Sequence, residues 1–399
     1  MKVRPLVSAF IVVVSVGVMA TSLSGQGQRQ GYRGKSHGNI HGSPHGDRGD
    51  GRRLFERETF GGNGRTCLTC HSRKTGTVSP QDALARFNAD STDPLFLHDG
   101  SDDGLGNGVT RMLTDATILI NIPLPPNVRL GDDPTARFVT LRRGIPTTLN
   151  TPALDPVLML DGRQPTLELQ AGGAIRDHGQ VADDSPDAPT LKELELIKQF
   201  EQTDAFFSSP ALRFFALGGP PPRLPRGHTA SERRGRRFFE DVEGDPAQFF
   251  KPGLCAHCHS GSMMNQTSKF APSFFGVPVK TGTRFQNILV SAFNHAGNPV
   301  REFIFTQGGV DISIFSPDPG RALITGIVDD PITFENIDAF KISSLRGIRH
   351  TAPYFHDNSA ETLNDVVAHY KDFFLLVTGG FIDLTDDQDD IVAFLKLLD

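Results

Sequence analysis

A chain of 399 residues is long enough to bury full hydrophobic cores and, at roughly 100–200 residues per domain, predicts two domains with room for a third. Charged residues make up 22% of it and the formal net charge is only -6, so no strongly basic surface marks nucleic acid as a partner. No Gly-rich phosphate loop in strand-to-helix context and no serine-triad signature occurs, so the chemistry has to be sought in other motifs.

The chain opens Met1-Lys2-Val3-Arg4, runs apolar from Leu6 to Ala20 and turns to small residues by Gly25. That order predicts a secretory signal peptide over 1–25, because an apolar run of about 15 residues is short against the roughly 20 that span a bilayer. The mature protein is then expected in the periplasm, without membrane attachment. Residues 26–53 are rich in Gly, Arg and His, among them His37, His41 and His45, and nearly lack large apolar side chains. A flexible linker is the expected result.

The only four cysteines follow as two C-x-x-C pairs, each directly followed by histidine: Cys67-Leu68-Thr69-Cys70-His71 and Cys255-Ala256-His257-Cys258-His259. Disulfides or one shared zinc are the rival readings. Zinc modules usually set their pairs about 15–20 residues apart, whereas Cys67 and Cys255 are 188 apart. The adjacent histidines favour haem c, whose attachment needs two thiols for two vinyl groups and an imidazole for the iron. Two covalently bound haems are therefore expected, on Cys67, Cys70 and His71 and on Cys255, Cys258 and His259, with His71 and His259 ligating iron. His257 reads as solvent-facing.

Gly51-Arg52-Arg53-Leu54-Phe55-Glu56 precedes the first site, and Gly235-Arg236-Arg237-Phe238-Phe239-Glu240 precedes the second, 184 residues later. A duplication explains the echo. It gives an N-terminal haem domain over 54–215, a Gly/Pro-rich linker over 216–230 and a C-terminal haem domain over 231–399. Thr190 and Glu193 form a capping box for a helix with Leu191, Leu194, Ile197 and Phe200 on one face. Ser231 starts the next helix, and Thr385 with Gln388 caps the last, where Ile391, Val392, Phe394, Leu395 and Leu398 form the apolar face. Residues 116–123 are the best candidate for a hairpin arm. The run Asp99-Gly100-Ser101-Asp102-Asp103-Gly104 has Thr110 where a calcium loop needs glutamate, and reads as an acidic turn.

Two further blocks carry a resemblance. Phe340-Lys341-Ile342-Ser343-Ser344-Leu345-Arg346, Thr351-Ala352-Pro353-Tyr354-Phe355-His356-Asp357 and Thr362-Leu363 form one; Pro146-Thr147-Thr148-Leu149-Asn150, Asp161-Gly162-Arg163, Leu167-Glu168 and Gln170 form the other. Over about residues 52–399 the chain resembles the bacterial di-haem cytochrome c peroxidase family, whose relatives include MauG. The resemblance implies a mainly α fold of two cytochrome c-like haem domains with a small β-hairpin insertion. It also implies peroxide reacting at the N-terminal haem, and electrons entering through the C-terminal haem from a small redox protein. A homodimer is compatible with it.

Departures from the family are equally specific. The tryptophan expected before Asp161-Gly162-Arg163 is replaced by Met159-Leu160, and the chain has no tryptophan at all. A calcium site between the domains would take carbonyl oxygens of Thr351 and Pro353, yet Gly144-Ile145 stands where an asparagine belongs. The family's distal ligand on the second haem falls on Tyr370, as in MauG-like members; a phenolate favours ferric iron and lowers the potential. Leu363, Val366, Val367 and Tyr370 share one helix face, so a core tyrosine is the competing reading, and His369 is the alternative ligand. The family's acid-base glutamate falls on Gln180, leaving His178 to move protons and Arg176 to stabilise charge; a polar surface loop is the plain alternative for all three. MauG-like oxidation of a protein or organic substrate, and a non-enzymatic di-haem electron carrier, are the other functions to weigh.

Overall fold

The repeated hexapeptide puts a glycine where two helices cross in each half of the chain. In the computed structural model, which describes residues 47–248, 251–270, 280–328 and 335–398, α1 (Asp47–Arg57), α2 (Leu167–Asp177) and α3 (Leu191–Thr203) build the first half. The second is built by α4 (Ala230–Arg236), α5 (Leu363–Val377) and α6 (Gln388–Leu395). α3 packs on α1 and α2, and α6 packs on α4 and α5 in the same way. A methyl at Gly51 would overlap the Leu196 carbonyl and come within 2.9 Å of Phe200 Cβ. At Gly235 it would overlap the Asp390 carbonyl and come within 2.9 Å of Phe394 Cβ. Only a residue without Cβ lets the backbones approach so closely.

Each half buries its own aromatic core, with Phe55, Phe200 and Phe207 in the first and Phe239, Phe374 and Phe394 in the second. A third core lies on small sheets. β1 (Thr117–Pro123) pairs antiparallel with β3 (Phe138–Gly144), with Ile120 opposite Leu141. β2 (Val128–Leu130) pairs with β5 (Arg301–Gln307), which pairs with β6 (Val310–Ser316); β4 (Phe285–Gln286) pairs with β7 (Phe340–Lys341). β2 comes from before the second haem motif and β5 from after it, so this sheet stitches the halves together. The fold is mainly α with more strand than one hairpin: β5 and β6 turn at Gly308-Gly309, both at positive φ, and β5 buries Phe303 and Phe305 in the alternation of a half-buried strand.

A second echo has a constant offset of 196 residues. An isolated bridge joins Leu158 to Gln164 and another joins Tyr354 to Ala360. Met159 and Phe355 both take left-handed backbone, at φ 63° and 69°, and Thr166 and Thr362 cap α2 and α5 with their side chains.

Several boundaries move. α1 takes in residues 47–53, assigned above to the linker, and the signal peptide over 1–25 lies outside the described residues. Residues 217–229 hold no regular element, and α4 starts one residue before Ser231 on a Thr229/Glu232 capping box. Leu191 is exposed, the buried face of α3 being Leu196, Ile197, Phe200 and Glu201. The last helix has Asp387 as its N-cap, because the Thr385 hydroxyl turns back to donate to Asp383 at 2.6 Å. No described helix is long and apolar enough to cross a membrane.

Gly235→Ala should lower stability by about 1–3 kcal/mol by forcing α4 from α6. Gly172→Ala, whose methyl meets nothing nearer than Leu194 Cδ1 at 3.5 Å, should be neutral or stabilising. Denaturant midpoints of the two variants check the contrast.

Candidate haem sites

Both pentapeptides fold alike. The backbone N–H of His71 donates to the Cys67 carbonyl, and that of His259 to the Cys255 carbonyl, each at 2.9 Å. The His71 ring meets the Gly76 carbonyl through Nδ1 at 2.9 Å, and the His259 ring meets the Met264 carbonyl through Nδ1 at 3.0 Å. A carbonyl only accepts, so Nδ1 carries the hydrogen and Nε2 keeps its lone pair, the form that ligates metal. Burial pushes both imidazoles below their ordinary range, His259 to about 4. Both are neutral at pH 7.

In the C-terminal half, the Tyr370 hydroxyl stands 3.4 Å from His259 Nε2 across a cavity also lined by Cys258, Leu345, Val366 and Phe355. His259 and Tyr370 are the side chains that would hold the iron of a haem bound in this cavity. The residues fit a haem held by Cys255, Cys258 and His259. Burial pushes the Tyr370 phenol far above its ordinary range, so ionising it there requires a cation such as iron. His369 is committed elsewhere, its Nε2 lying 2.8 Å from the Ile288 carbonyl. His257 corrects the sequence reading: it is 3% exposed, both ring nitrogens are buried without a partner among the described residues, and burial lowers it to about 4.

In the N-terminal half, the cavity beside Cys70 and His71 is walled by Ile120, Leu158, Leu160, Ala174 and His178. The 196-residue offset sets Ala174 against Tyr370. α2 therefore carries a methyl where α5 carries a phenol. The residues fit a second haem, with Cys67 and Cys70 as its attachment and His71 as its ligand.

His178 is the C-cap of α2, and its Nδ1 meets Asp99 Oδ2 at 2.5 Å. Asp99 also pairs with Arg65; the two side chains are 7% and 4% exposed. Arg65 donates further to the carbonyls of Pro94 at 2.8 Å, Leu95 at 3.1 Å and His178 at 3.2 Å. Burial alone would raise the Asp99 carboxyl, but the hydrogen bond from His178 and the Arg65 charge outweigh it and hold the acid below its ordinary range. An ionised Asp99 accepting from Nδ1–H leaves Nε2 as the nitrogen available to a substrate. Sequence reasoning missed Asp99 and Arg65, which lie far from His178 in the chain.

Gln180 and Arg176 do not line the cavity. α2 ends at Asp177, and the chain turns outward at Gln180 with φ 58°, where the exposed side chain accepts from Asn63 Nδ2 at 3.2 Å. Arg176 is exposed and donates to Asp177 at 2.8 Å. Glu201, which no motif singled out, does line the cavity. It follows Phe200 as Leu395 follows Phe394.

Between the two cavities stand Leu160 and Lys341, which line both; Lys341 donates to Asp155 at 2.9 Å and to the Val157 carbonyl at 3.0 Å. The Phe340 ring stacks on His356 with centroids 3.7 Å apart, and the Arg143 guanidinium lies 5.1 Å from the Phe340 ring. Arg143, 2% exposed, bridges Asp161 at 2.6 Å and Asp318 at 2.7 Å. Among the described residues no three His, Cys, Asp or Glu side chains converge as a shared zinc would need. A side chain at Gly144 would overlap the Asn358 amide, which occupies the space of the expected asparagine. The acidic turn is spent on protein donors: Asp102 accepts from the N–H groups of Thr110 and Arg111, and Asp103 from Asn107.

No family model matches the chain. The cytochrome c551 peroxidase of Nitrosomonas europaea is 25% identical over 269 residues, 63% of this chain and 64% of that protein, so the match spans just under two thirds of the relative's length. The chain is thus similar over that span to a bacterial cytochrome c peroxidase. Among solved structures, a MauG-like protein associated with microbial copper homeostasis is 18% identical, covering 88% of each chain with a TM-score of 0.46. The diheme peroxidase BthA of Burkholderia thailandensis is 16% identical, covering 88% of this chain and 85% of its own, with a TM-score of 0.44.

Arg143 belongs to the wall between the cavities. Arg143→Met would strand Asp161 and Asp318 in the interior and should cost about 3–5 kcal/mol. Arg129→Met, which breaks an exposed pair with Asp311, should cost under about 1 kcal/mol. Equilibrium unfolding of both variants measures the difference.

Proposed function

We propose that the chain is an exported, periplasmic di-haem c oxidoreductase that reacts with hydrogen peroxide at the N-terminal haem. Electrons enter through the C-terminal haem from a small redox protein. The observation that carries this reading is the asymmetry of the two halves: Tyr370 faces His259, and Ala174 occupies the matching position near His71. An electron carrier needs both irons closed; an enzyme needs one open.

Cys67, Cys70 and His71 would hold one haem, and Cys255, Cys258, His259 and Tyr370 the other. Bound there, the two irons supply the electrons that peroxide reduction consumes. The chain's own residues supply orientation and proton movement. Ile120, Leu158 and Leu160 keep the N-terminal cavity apolar, which strengthens each polar contact inside it. His178 accepts the proton of one peroxide oxygen through Nε2 and returns it to the other, which leaves as water. Asp99 holds the hydrogen on Nδ1, and Arg65 holds Asp99. Tyr370, a harder ligand than a thioether, favours a second reading of the same site, MauG-like oxidation of a protein or organic substrate.

Pyridine haem analysis after acid-acetone extraction should find two haems retained per chain; extractable haem or bound zinc would sink the reading. His178→Ala should lower peroxide turnover by 10²–10⁴-fold with haem content unchanged. Gln180→Glu and Arg176→Ala, on the outer surface, should stay within about twofold of the parent, since neither touches the proton path.

A further inference from the structure

Glu201 is a carboxylic acid at the place where the other half of the molecule has a leucine. The glycine crossings set the correspondence: Phe200 meets Gly51 as Phe394 meets Gly235, and the next residue is Glu201 in α3 and Leu395 in α6. Leu395 helps wall the C-terminal haem cavity, and Glu201 walls the N-terminal one beside Cys70, His71 and His178. The Glu201 residue is 5% exposed, and its Oε2 is buried with no partner among the described residues. A bare carboxyl in an apolar wall costs stability, and a packing role is met by the leucine of the sister helix.

The charged groups around it are committed to others. Glu58 pairs with Arg53 at 2.5 Å, Arg65 and His178 both bind Asp99, and on α3 itself Lys198 pairs with Glu168 of α2 at 2.7 Å. The Cys67 thiol is near enough for Glu201 to help raise it, and in the loaded protein that thiol is a neutral thioether. Burial, with no opposing charge, pushes the Glu201 carboxyl up to about 8. It therefore titrates close to neutral pH.

We propose that Glu201 is the proton acceptor linked to reduction of the N-terminal haem, binding one proton when an electron enters that cavity and releasing it when the electron leaves. The electron comes from a one-electron redox protein and takes the iron from ferric to ferrous. The proton comes from bulk water and converts the Glu201 carboxylate to the acid, forming one O–H bond and breaking none in the protein. An added electron in a low-dielectric cavity repels the carboxylate strongly, and the incoming proton cancels that charge. The C-terminal cavity, with Leu395, has no such acceptor at this position.

This inference rests on haem attachment at Cys67, Cys70 and His71, and its test separates the two. In spectroelectrochemical titration of the holo-protein, the N-terminal potential should fall with rising pH, by up to about 59 mV for each tenfold drop in proton concentration, over the range in which the reduced form holds the Glu201 proton and the oxidised form has lost it. Glu201→Gln and Glu201→Leu should lose that slope and leave the C-terminal slope as it was. The haem's own acids titrate alike in all three proteins, so the difference isolates Glu201. A readout independent of redox comes from stability. The folded value lies above the ordinary 4.5, so native stability should decline as pH rises from about 4.5 to about 8, and Glu201→Gln should remove that decline. Two haems with the same N-terminal slope in both variants would overturn this inference alone; a chain lacking the N-terminal haem would overturn it together with the function it rests on.

Discussion

Everything at the two candidate sites depends on an imidazole whose Nδ1–H is spent on a backbone carbonyl five residues further along. The bond from His71 to Gly76 and that from His259 to Met264 do the same work. They fix the tautomer, aim Nε2 away from the loop and tie the ring to the turn that also sets the cysteines. With the near side of each cavity fixed alike, any difference in behaviour has to come from the far side. That side is supplied by the helix beginning at Thr166 in one half and Thr362 in the other, with the same cap and the same preceding bridge.

The two halves place different side chains at a few matched positions around their cavities. Tyr370 against Ala174 sets a phenol beside His259 where the other half has a methyl. Leu395 against Glu201 separates an apolar wall from one that titrates. His178, with its Asp99 and Arg65 partners, belongs to the N-terminal half. These changes cost little at the helix crossings, where Gly51 and Gly235 preserve the packing of both halves. The wall between the cavities is held differently, by the buried bridge from Arg143 to Asp161 and Asp318 and by Lys341 on Asp155.

The two C-x-x-C-H pentapeptides, the glycine repeat and the Thr190 cap were legible in the sequence because each is written in a few adjacent or helically spaced residues, whereas Tyr370 was reached only through the family resemblance. Glu201 was not, since a glutamate in a charged helix reads as solvated until the opposing helix covers it. His257 failed for the same reason, as burial is set by packing from the rest of the C-terminal half. The family alignment pointed to Gln180, but a left-handed turn after α2 carries that side chain outward while His178 stays on the cavity wall. Asp99 lies in an acidic run that reads as a turn, and only the buried Arg65 distinguishes it from its neighbours. The β5–β6 hairpin had its signal in Gly308-Gly309, although its pairing with β2 is a long-range contact that no local pattern encodes.

In the proposed function, the two haem sites differ in one position, closed by Tyr370 in the C-terminal half and open in the N-terminal half. The most direct measurement is an optical and electron-resonance titration of the oxidised holo-protein with cyanide, with the haem content of the same sample determined. One cyanide should bind tightly for every two haems, and the spectrum of the C-terminal haem should stay unchanged. Two cyanides bound with equal ease, or none, would contradict it.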